Sequence, residues 1–325
     1  DMLGTYRLLL ALLVALSHAN VRINVLNSSL NPGVIAVIGF YLISGYVMTG
    51  LIQRHYGSWR EIGHFYADRA MRLLPQYYLL LAITLVWFFV AKQQTDFLQH
   101  PPQISDWVAN LTVVPLNYFM FNQTGQFTAI PPAWSLGAEI QFYLLMPILL
   151  LMRLRWLAML IASVVFGLAA WGYLNTDYFG YRLLPGVLLF FLLGSYAFEV
   201  KDAFAERCKF LFAVLAVVFI TAVVLQHFNH LDLPYNKETL LGLSIGLPLL
   251  VFLGAMNQRH WDNRLGDLSY GVFLNHFLIQ WGVLGVPSTA PKLAVYIALS
   301  IGISYLTQRL VEQPVLKWRK NLRIK

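Results

Sequence analysis

The apolar run "YRLLLALLVALSHANVR" carries an arginine at position 7 and a histidine at position 18. In an α-helix this separation of eleven residues turns through about 1100°, roughly 20° beyond three full turns, so both side chains share a face. Their Cα atoms stand roughly 16 Å apart along the axis at 1.5 Å per residue. A titratable side chain at membrane depth is costly and usually turns towards a bundle interior or a polar cavity. The pair therefore predicts a helix face lining a cavity that crosses much of a bilayer. The structural alternative is an Arg7 that snorkels to the near surface and a His18 bonded to a backbone carbonyl or a lipid headgroup.

A carboxylate is expected at the same depth. Glu139, in "PPAWSLGAEIQFYLLMP" (131–147), falls near the far membrane edge, as His18 does. A histidine base held by a carboxylate is suited to taking a proton from a hydroxyl, so Glu139 is expected to orient His18. The alternative for Glu139 is a structural hydrogen bond near Trp134 or Tyr143. Arg69 and Arg72, in "DRAMRLLPQYY" (68–78), are spaced i, i+3 and share a helix face. Paired guanidiniums suit a phosphate through bidentate hydrogen bonds. The same spacing also suits an ordinary positive-inside anchor.

These residues need a membrane scaffold to position them. The chain has 325 residues, 58% of them hydrophobic and 12% charged. That is about half the charge of a soluble domain. Long apolar runs predict an all-α integral membrane protein of about ten spans in a single domain, 1–325. The spans are expected near 4–22, 33–52, 73–91, 134–152, 156–174, 183–200, 209–227, 239–256, 266–285 and 292–311. The stretch 107–121 is short and broken by Pro115, and reads as re-entrant or interfacial. With the N-terminus in the cytoplasm, 18 of the 23 Lys and Arg fall on the cytoplasmic side, the tail Lys317, Arg319, Lys320, Arg323 and Lys325 among them. Arg22, Lys92, Arg182, Lys237 and Lys292 fall on the other. This bias predicts that both termini are cytoplasmic. It also accounts for much of the net charge of +8 without a nucleic-acid partner.

The lone Cys208 excludes a disulfide framework and a cysteine-based metal site, and no metal is expected. The first span lacks a small-residue cleavage site and reads as retained rather than as a signal peptide. Met2 reads as the natural start and Asp1 as extraneous. The sequons at Asn27, Asn110 and Asn122 fall on the outer side and are taken as unglycosylated. His55, His64, His227, His230 and His260 fall in expected loops and read as solvated.

Further motifs follow along the chain: "FYLISGYVMTG" (40–50), "DRAMRLLPQYY" (68–78), "WSLGAEIQFYLLMP" (134–147), "LGDLSYGVFLNHFLI" (265–279) and "VEQPVLKW" (311–318). With the Arg-x10-His of the first span, and in this order, they resemble the acyltransferase family 3 of bacterial membrane O-acyltransferases. The resemblance covers nearly the whole chain. It implies an acyl-CoA co-substrate, usually acetyl-CoA, and an acceptor hydroxyl on a saccharide, glycolipid or other envelope molecule, often outside. It also implies a multi-pass place in the bacterial cytoplasmic (inner) membrane, beside envelope-polysaccharide machinery. On this reading Arg7, Arg69 and Arg72 hold the CoA phosphates, and His18, oriented by Glu139, deprotonates the acceptor. Direct attack and an acyl-histidine intermediate are both open.

Ser44, Tyr46, Trp134 and Ser135 are candidates for substrate contact or for holding the oxyanion. His276, in "LNH", also matches the family pattern; it falls mid-span, where a histidine wants a polar partner. Ser269 and Tyr270 suit packing or acceptor contacts. The chain departs from the family at "GTYR", where an Asp-Gly-Leu-Arg opening is usual, so the acid before Arg7 is missing. Tyr41 and Ile43 replace the more usual Phe and Leu. No fused esterase-like domain is expected, so transfer would be completed in the membrane domain or by a separate partner. Two other classes use the same residues differently. A transporter or flippase would move an anionic or glycan solute through the Arg/His-lined cavity without thioester chemistry. A scaffold for envelope polymer assembly would leave His18 dispensable.

Overall fold

Each of the ten apolar runs forms a helix in the computed structural model, which describes residues 1–25 and 28–323, with side chains to Trp318. The Asn27 sequon, Lys325 and the side chains of Arg319, Lys320 and Arg323 lie outside the described residues. In chain order come α1 (Gly4–His18), β1 (Ile23–Val25), β2 (Ser28–Leu30), α2 (Pro32–His55) and α3 (Ile62–Ala91). They are followed by α4 (Ile104–Thr112), α5 (Phe119–Asn122), α6 (Ala133–Leu151), α7 (Arg155–Ala170) and α8 (Leu184–Glu199). The last are α9 (Phe204–His227), α10 (Asn236–Gly254), α11 (His260–Ile279), α12 (Ala290–Thr307) and α13 (Gln313–Arg323). Among the described residues, 7 helices are long and apolar enough to cross a membrane, and α1 and α7 are shorter apolar helices.

Of the boundaries that differ from expectation, two lie at the site. The run 4–22 is helical only to His18, because Asn20 adopts a left-handed conformation (φ 61°) and the chain turns into the β1–β2 hairpin. His18 is therefore the last residue of α1 and not one turn inside a longer span. The expected loop 53–72 is instead helical from Ile62 onward, so Arg69 and Arg72 lie within α3. The stretch 107–121 folds as the broken piece α4, a 3-10 turn (Val114–Tyr118) and α5, with Val113 at φ 67° ending α4. Tyr118 donates to Gln141 (2.6 Å) and Gln141 to Asn117 (3.1 Å), which lays this piece along α6.

α1 and α2 pack together at the centre. α11 flanks α1 on one side, with α12 packed on α11; α8 and α10 flank α2 on the other. In α2, 72% of the most apolar 18-residue stretch is buried, against 11% in α9. α9 is also the more apolar of the two (mean hydropathy 2.7 against 2.0), as expected of a helix that meets lipid on most sides. Local chemistry sets the start of α2: Asn31 accepts from the Gly33 N–H (2.9 Å) and Pro32 occupies the first turn, where its missing N–H costs nothing.

α1 and α11 approach backbone to backbone at their first turns. A Cβ on Gly4 would lie 1.8 Å from the Asp262 carbonyl oxygen, so no other residue fits there. This contact brings the Asp262 carboxylate onto the start of α1. It accepts from the Gly4 N–H (2.7 Å), the Thr5 N–H (2.8 Å) and the Thr5 hydroxyl (2.7 Å). An acid missing from the segment before Arg7 is thus supplied from across the bundle, where it satisfies exposed helix-start donors.

Candidate functional site

The far end of α1 is fixed by side chains that take up its last carbonyls. Tyr296 donates to Ala15 O (3.2 Å), Arg22 to Ser17 O (2.9 Å) and Gln280 to His18 O (3.1 Å). Gln280 also donates to the Tyr296 hydroxyl (3.0 Å). Helix-end carbonyls want such partners, and here they come from α12, the turn after α11 and, for Arg22, the link from α1 to β1.

His18 meets His276, not Glu139. The His18 Nδ1 and His276 Nε2 atoms are 3.0 Å apart, with the ring planes within 9°. His276 is fully buried, and its Nδ1 lies 3.2 Å from Val272 O. A carbonyl oxygen only accepts, so in a neutral His276 the ring proton sits on Nδ1. Its Nε2 then offers a lone pair, and His18 Nδ1 is the donor. This leaves the lone pair of His18 on Nε2. The neighbouring Asn275 ties α11 to α12, donating to Ser300 O (2.8 Å) and accepting from the Ser300 hydroxyl (2.6 Å).

Glu139 belongs to a separate cavity of about 150 Å³, which it lines with Arg7, Ser44, Arg69, Arg72 and Tyr143. Ser44 (2.5 Å) and Tyr143 both donate to Glu139 Oε1. The expected His18–Glu139 pair is therefore corrected. Depth along two helices was matched, but the side chains project into different cavities, which sequence depth does not specify.

The Arg7 guanidinium lines this cavity with no hydrogen bond or close ion pair among the described residues, although the charges of Glu139, Asp262 and Asp267 act on it from further off. Arg69 and Arg72 line it too but carry partners: Arg69 pairs with Asp68, and Arg72 with Glu312 and, at 3.6 Å, Asp267. Asp68 and Glu312 are each 1% exposed, so both arginines are held by buried carboxylates. Asp262 faces the same end of α1, ahead of the expected span 266–285. Burial raises its carboxyl pKa, but the hydrogen bonds from Thr5 and Gly4 and the charge of Arg7 outweigh this and hold it below the ordinary aspartate value.

Two further cavities lie beyond the first. One, of about 140 Å³, is lined by Ser17, His18, Asn31, Trp134 and Arg182, and it shares Val37, Ser135 and Phe273 with the Arg7 cavity. The next, of about 240 Å³, is walled by the 97–131 segment and shares His18, Trp134 and Arg182 with the second. Three cavities thus follow one another along α1, with Arg7 in the first and His18 on the boundary of the last two.

The remaining candidates divide. Ser44, Trp134 and Ser135 line these cavities; the Ser44 hydroxyl is taken by Glu139 and that of Ser135 by Pro132 O (3.0 Å). Tyr46 does not line them: it is 1% exposed and its hydroxyl donates to Gly254 O (3.0 Å) and Asp1 (3.3 Å) near the start of α1. Ser269 and Tyr270 line the Arg7 cavity, and Tyr270 donates to Leu73 O (3.0 Å). His55, His64, His227 and His260 are exposed, whereas His230 is half-buried against Trp171 (ring centroids 4.9 Å apart).

Sequence reasoning missed Arg182, counting it only as an outer cation. It ends a π-helical turn, Tyr178–Arg182, directly before α8. Its Nε donates to Asp177 Oδ1 (2.6 Å), and its guanidinium carbon lies 4.5 Å from the Trp134 ring, 5.1 Å from Tyr181 and 5.2 Å from Phe119. The string "DYFGYR", with an acid and aromatics around one arginine, was the available signal.

Comparison with known proteins points one way. A family model described as an acyltransferase domain, Acyl_transf_3, matches residues 5–309. The chain is 39% identical to an uncharacterized protein of Aquifex aeolicus over 207 residues, covering 61% of this chain and 93% of that one. It is 23% identical to the peptidoglycan O-acetyltransferase OatA of Listeria monocytogenes, over 88% of this chain and 51% of that protein. It is 25% identical to the putative peptidoglycan O-acetyltransferase YrhL of Bacillus subtilis, over 76% of this chain and 44% of that protein. The chain thus spans about half the length of these named O-acetyltransferases. No solved structure matches it.

Proposed function

The chain belongs to the acyltransferase 3 family, and from that premise we propose that it is a multi-pass O-acyltransferase of the bacterial cytoplasmic membrane. It takes an acyl group, most simply acetyl, from cytoplasmic acyl-CoA and transfers it to a saccharide or glycolipid hydroxyl at the outer face. Both termini are cytoplasmic, so the Arg7 cavity opens inwards and the 97–131 segment faces out. The observation that carries this reading is the row of three cavities, with an arginine in no close ion pair among the described residues in the first and a histidine on the boundary of the last two.

In this scheme Arg7 holds the CoA phosphates with Arg69 and Arg72. Arg7 is the primary contact because it breaks no close ion pair among the described residues to bind an anion. The pantetheine arm runs along α1, past Val37, Ser135 and Phe273. Glu139 Oε2, which makes no hydrogen bond among the described residues, accepts from an amide of the arm. His18 Nε2 takes the proton of the acceptor hydroxyl as its oxygen attacks the thioester carbon. His276 accepts from His18 Nδ1 and so holds the reactive tautomer, the role that the sequence alone suggests for Glu139. The proton then passes from His18 to the departing CoA sulfur. Envelope-polysaccharide machinery would present the acceptor.

The test is acetyl-CoA turnover in nanodiscs, with a chito-oligosaccharide as acceptor and with CoA binding measured in parallel. His18→Ala should lose about 10²–10⁴-fold in rate, the usual worth of a general base, and bind CoA normally. Arg7→Ala should instead weaken CoA binding. A wild-type protein that binds no acetyl-CoA would leave solute transport as the better reading.

A further inference from the structure

The outer arginine has no part in the scheme above, yet it borders the same two cavities as His18. Its immobilisation is unusual for a membrane-edge cation. Asp177 holds Nε, the rings of Trp134, Tyr181 and Phe119 surround the guanidinium, and the side chain is 16% exposed. All of these contacts leave the two terminal nitrogens, Nη1 and Nη2, without a hydrogen-bond acceptor among the described residues. A snorkelling arginine spends its terminal N–H groups on water or headgroups and keeps a flexible arm. Here the arm is held at Nε and among three rings, and Arg182 lines the two cavities beside a candidate base with its terminal donors free of protein acceptors among the described residues. Fixed donors next to a nucleophile's base suit charge that develops only during reaction.

The geometry points to Arg182 as the oxyanion donor: its Nη groups hold the carbonyl oxygen of the acyl thioester while His18 activates the acceptor. This rests on the transferase reading. The acceptor O–H proton goes to His18 Nε2, and the acceptor oxygen bonds to the acyl carbon. The carbonyl π pair moves onto oxygen, where Arg182 N–H groups meet it. The pair returns, the C–S bond breaks, and the CoA thiolate recovers the proton from His18. Asp177 and Trp134 act through Arg182 as positioning residues. Ser44 and Ser135, the hydroxyl candidates for this role, already donate to Glu139 and Pro132.

The experiment compares wild type with Arg182→Gln, Arg182→Lys and Arg182→Ala in nanodiscs, reading kcat, acceptor KM, CoA binding and melting temperature. Loss of an oxyanion donor should lower kcat about 10²–10³-fold in Arg182→Gln, with CoA affinity and melting temperature held. Added guanidinium should restore part of the rate to Arg182→Ala, and Arg182→Lys should fall between. A kcat within threefold of wild type overturns the proposal, as does a change confined to acceptor KM, which would make Arg182 a contact for acceptor charge. A fall in rate that follows the melting temperature and resists guanidinium also overturns it, by marking a structural role. Wild type without acetyl-CoA turnover removes the transferase reading and this proposal with it.

Discussion

In the proposed transfer, the role of His18 turns on which ring nitrogen carries the proton. A carboxylate partner would have fixed the Nδ1–H tautomer by charge. His276 fixes it by a chain of neutral hydrogen bonds, from His18 Nδ1 through His276 to Val272 O. Such a chain brings no anion into a buried site, where an unpaired charge is expensive. The predicted consequence separates acceptor capacity from bulk. In His276→Gln the amide oxygen can still accept from His18, whereas the Phe variant fills space and accepts nothing. His276→Gln should retain more kcat than His276→Phe, with CoA binding unchanged in both. Equal rates for the two variants would show that His276 does no orienting.

Among the apolar helices described, α1 is one of the two shorter ones: its 15 residues span only about 22 Å. A helix of that length does not cross the roughly 30 Å hydrocarbon core unaided, and both of its ends are tied by partners from elsewhere in the bundle. At the start the tie is Asp262, whose carboxyl is held below its ordinary value. Its stabilising effect is therefore present above the unfolded-state pKa and is lost as pH falls through the lower, folded-state one. Asp262→Ala should destabilise the protein by about 0.5–2 kcal/mol, as for loss of a helix N-cap. The check is thermal melting in nanodiscs. The gap between wild type and variant should be full at neutral pH and close only below the ordinary aspartate range. A gap that does not change with pH would mean that the charge is irrelevant.

Over the whole molecule, the bias of Lys and Arg predicts an orientation in which the arginine-lined cavity falls on the basic side, and the proposed direction of acyl transfer depends on it. Cys208, the sole cysteine, is exposed at the start of α9 and reports on that orientation. A membrane-impermeant maleimide should leave it unlabelled in intact cells and label it once the membrane is opened. Labelling of intact cells would invert the topology, and with it the direction of acyl transfer.

The all-helical scaffold was legible because apolar runs of span length have few alternatives in lipid: backbone groups must be satisfied within the segment. Phase along a single helix was equally legible, and it placed Arg7 and His18 on cavities that follow one another along α1. The sequence also marked Arg69 and Arg72 as a pair on one face, and the structure puts both in the Arg7 cavity. Contacts between helices were not legible. Helix rotation and tilt decide them, and they are set by packing such as the Gly4–Asp262 contact rather than by local periodicity. Glu139 therefore turned to Ser44 and Tyr143, His18 to a histidine 258 residues away, and Arg182 to a cavity beside His18 that its local string could not specify.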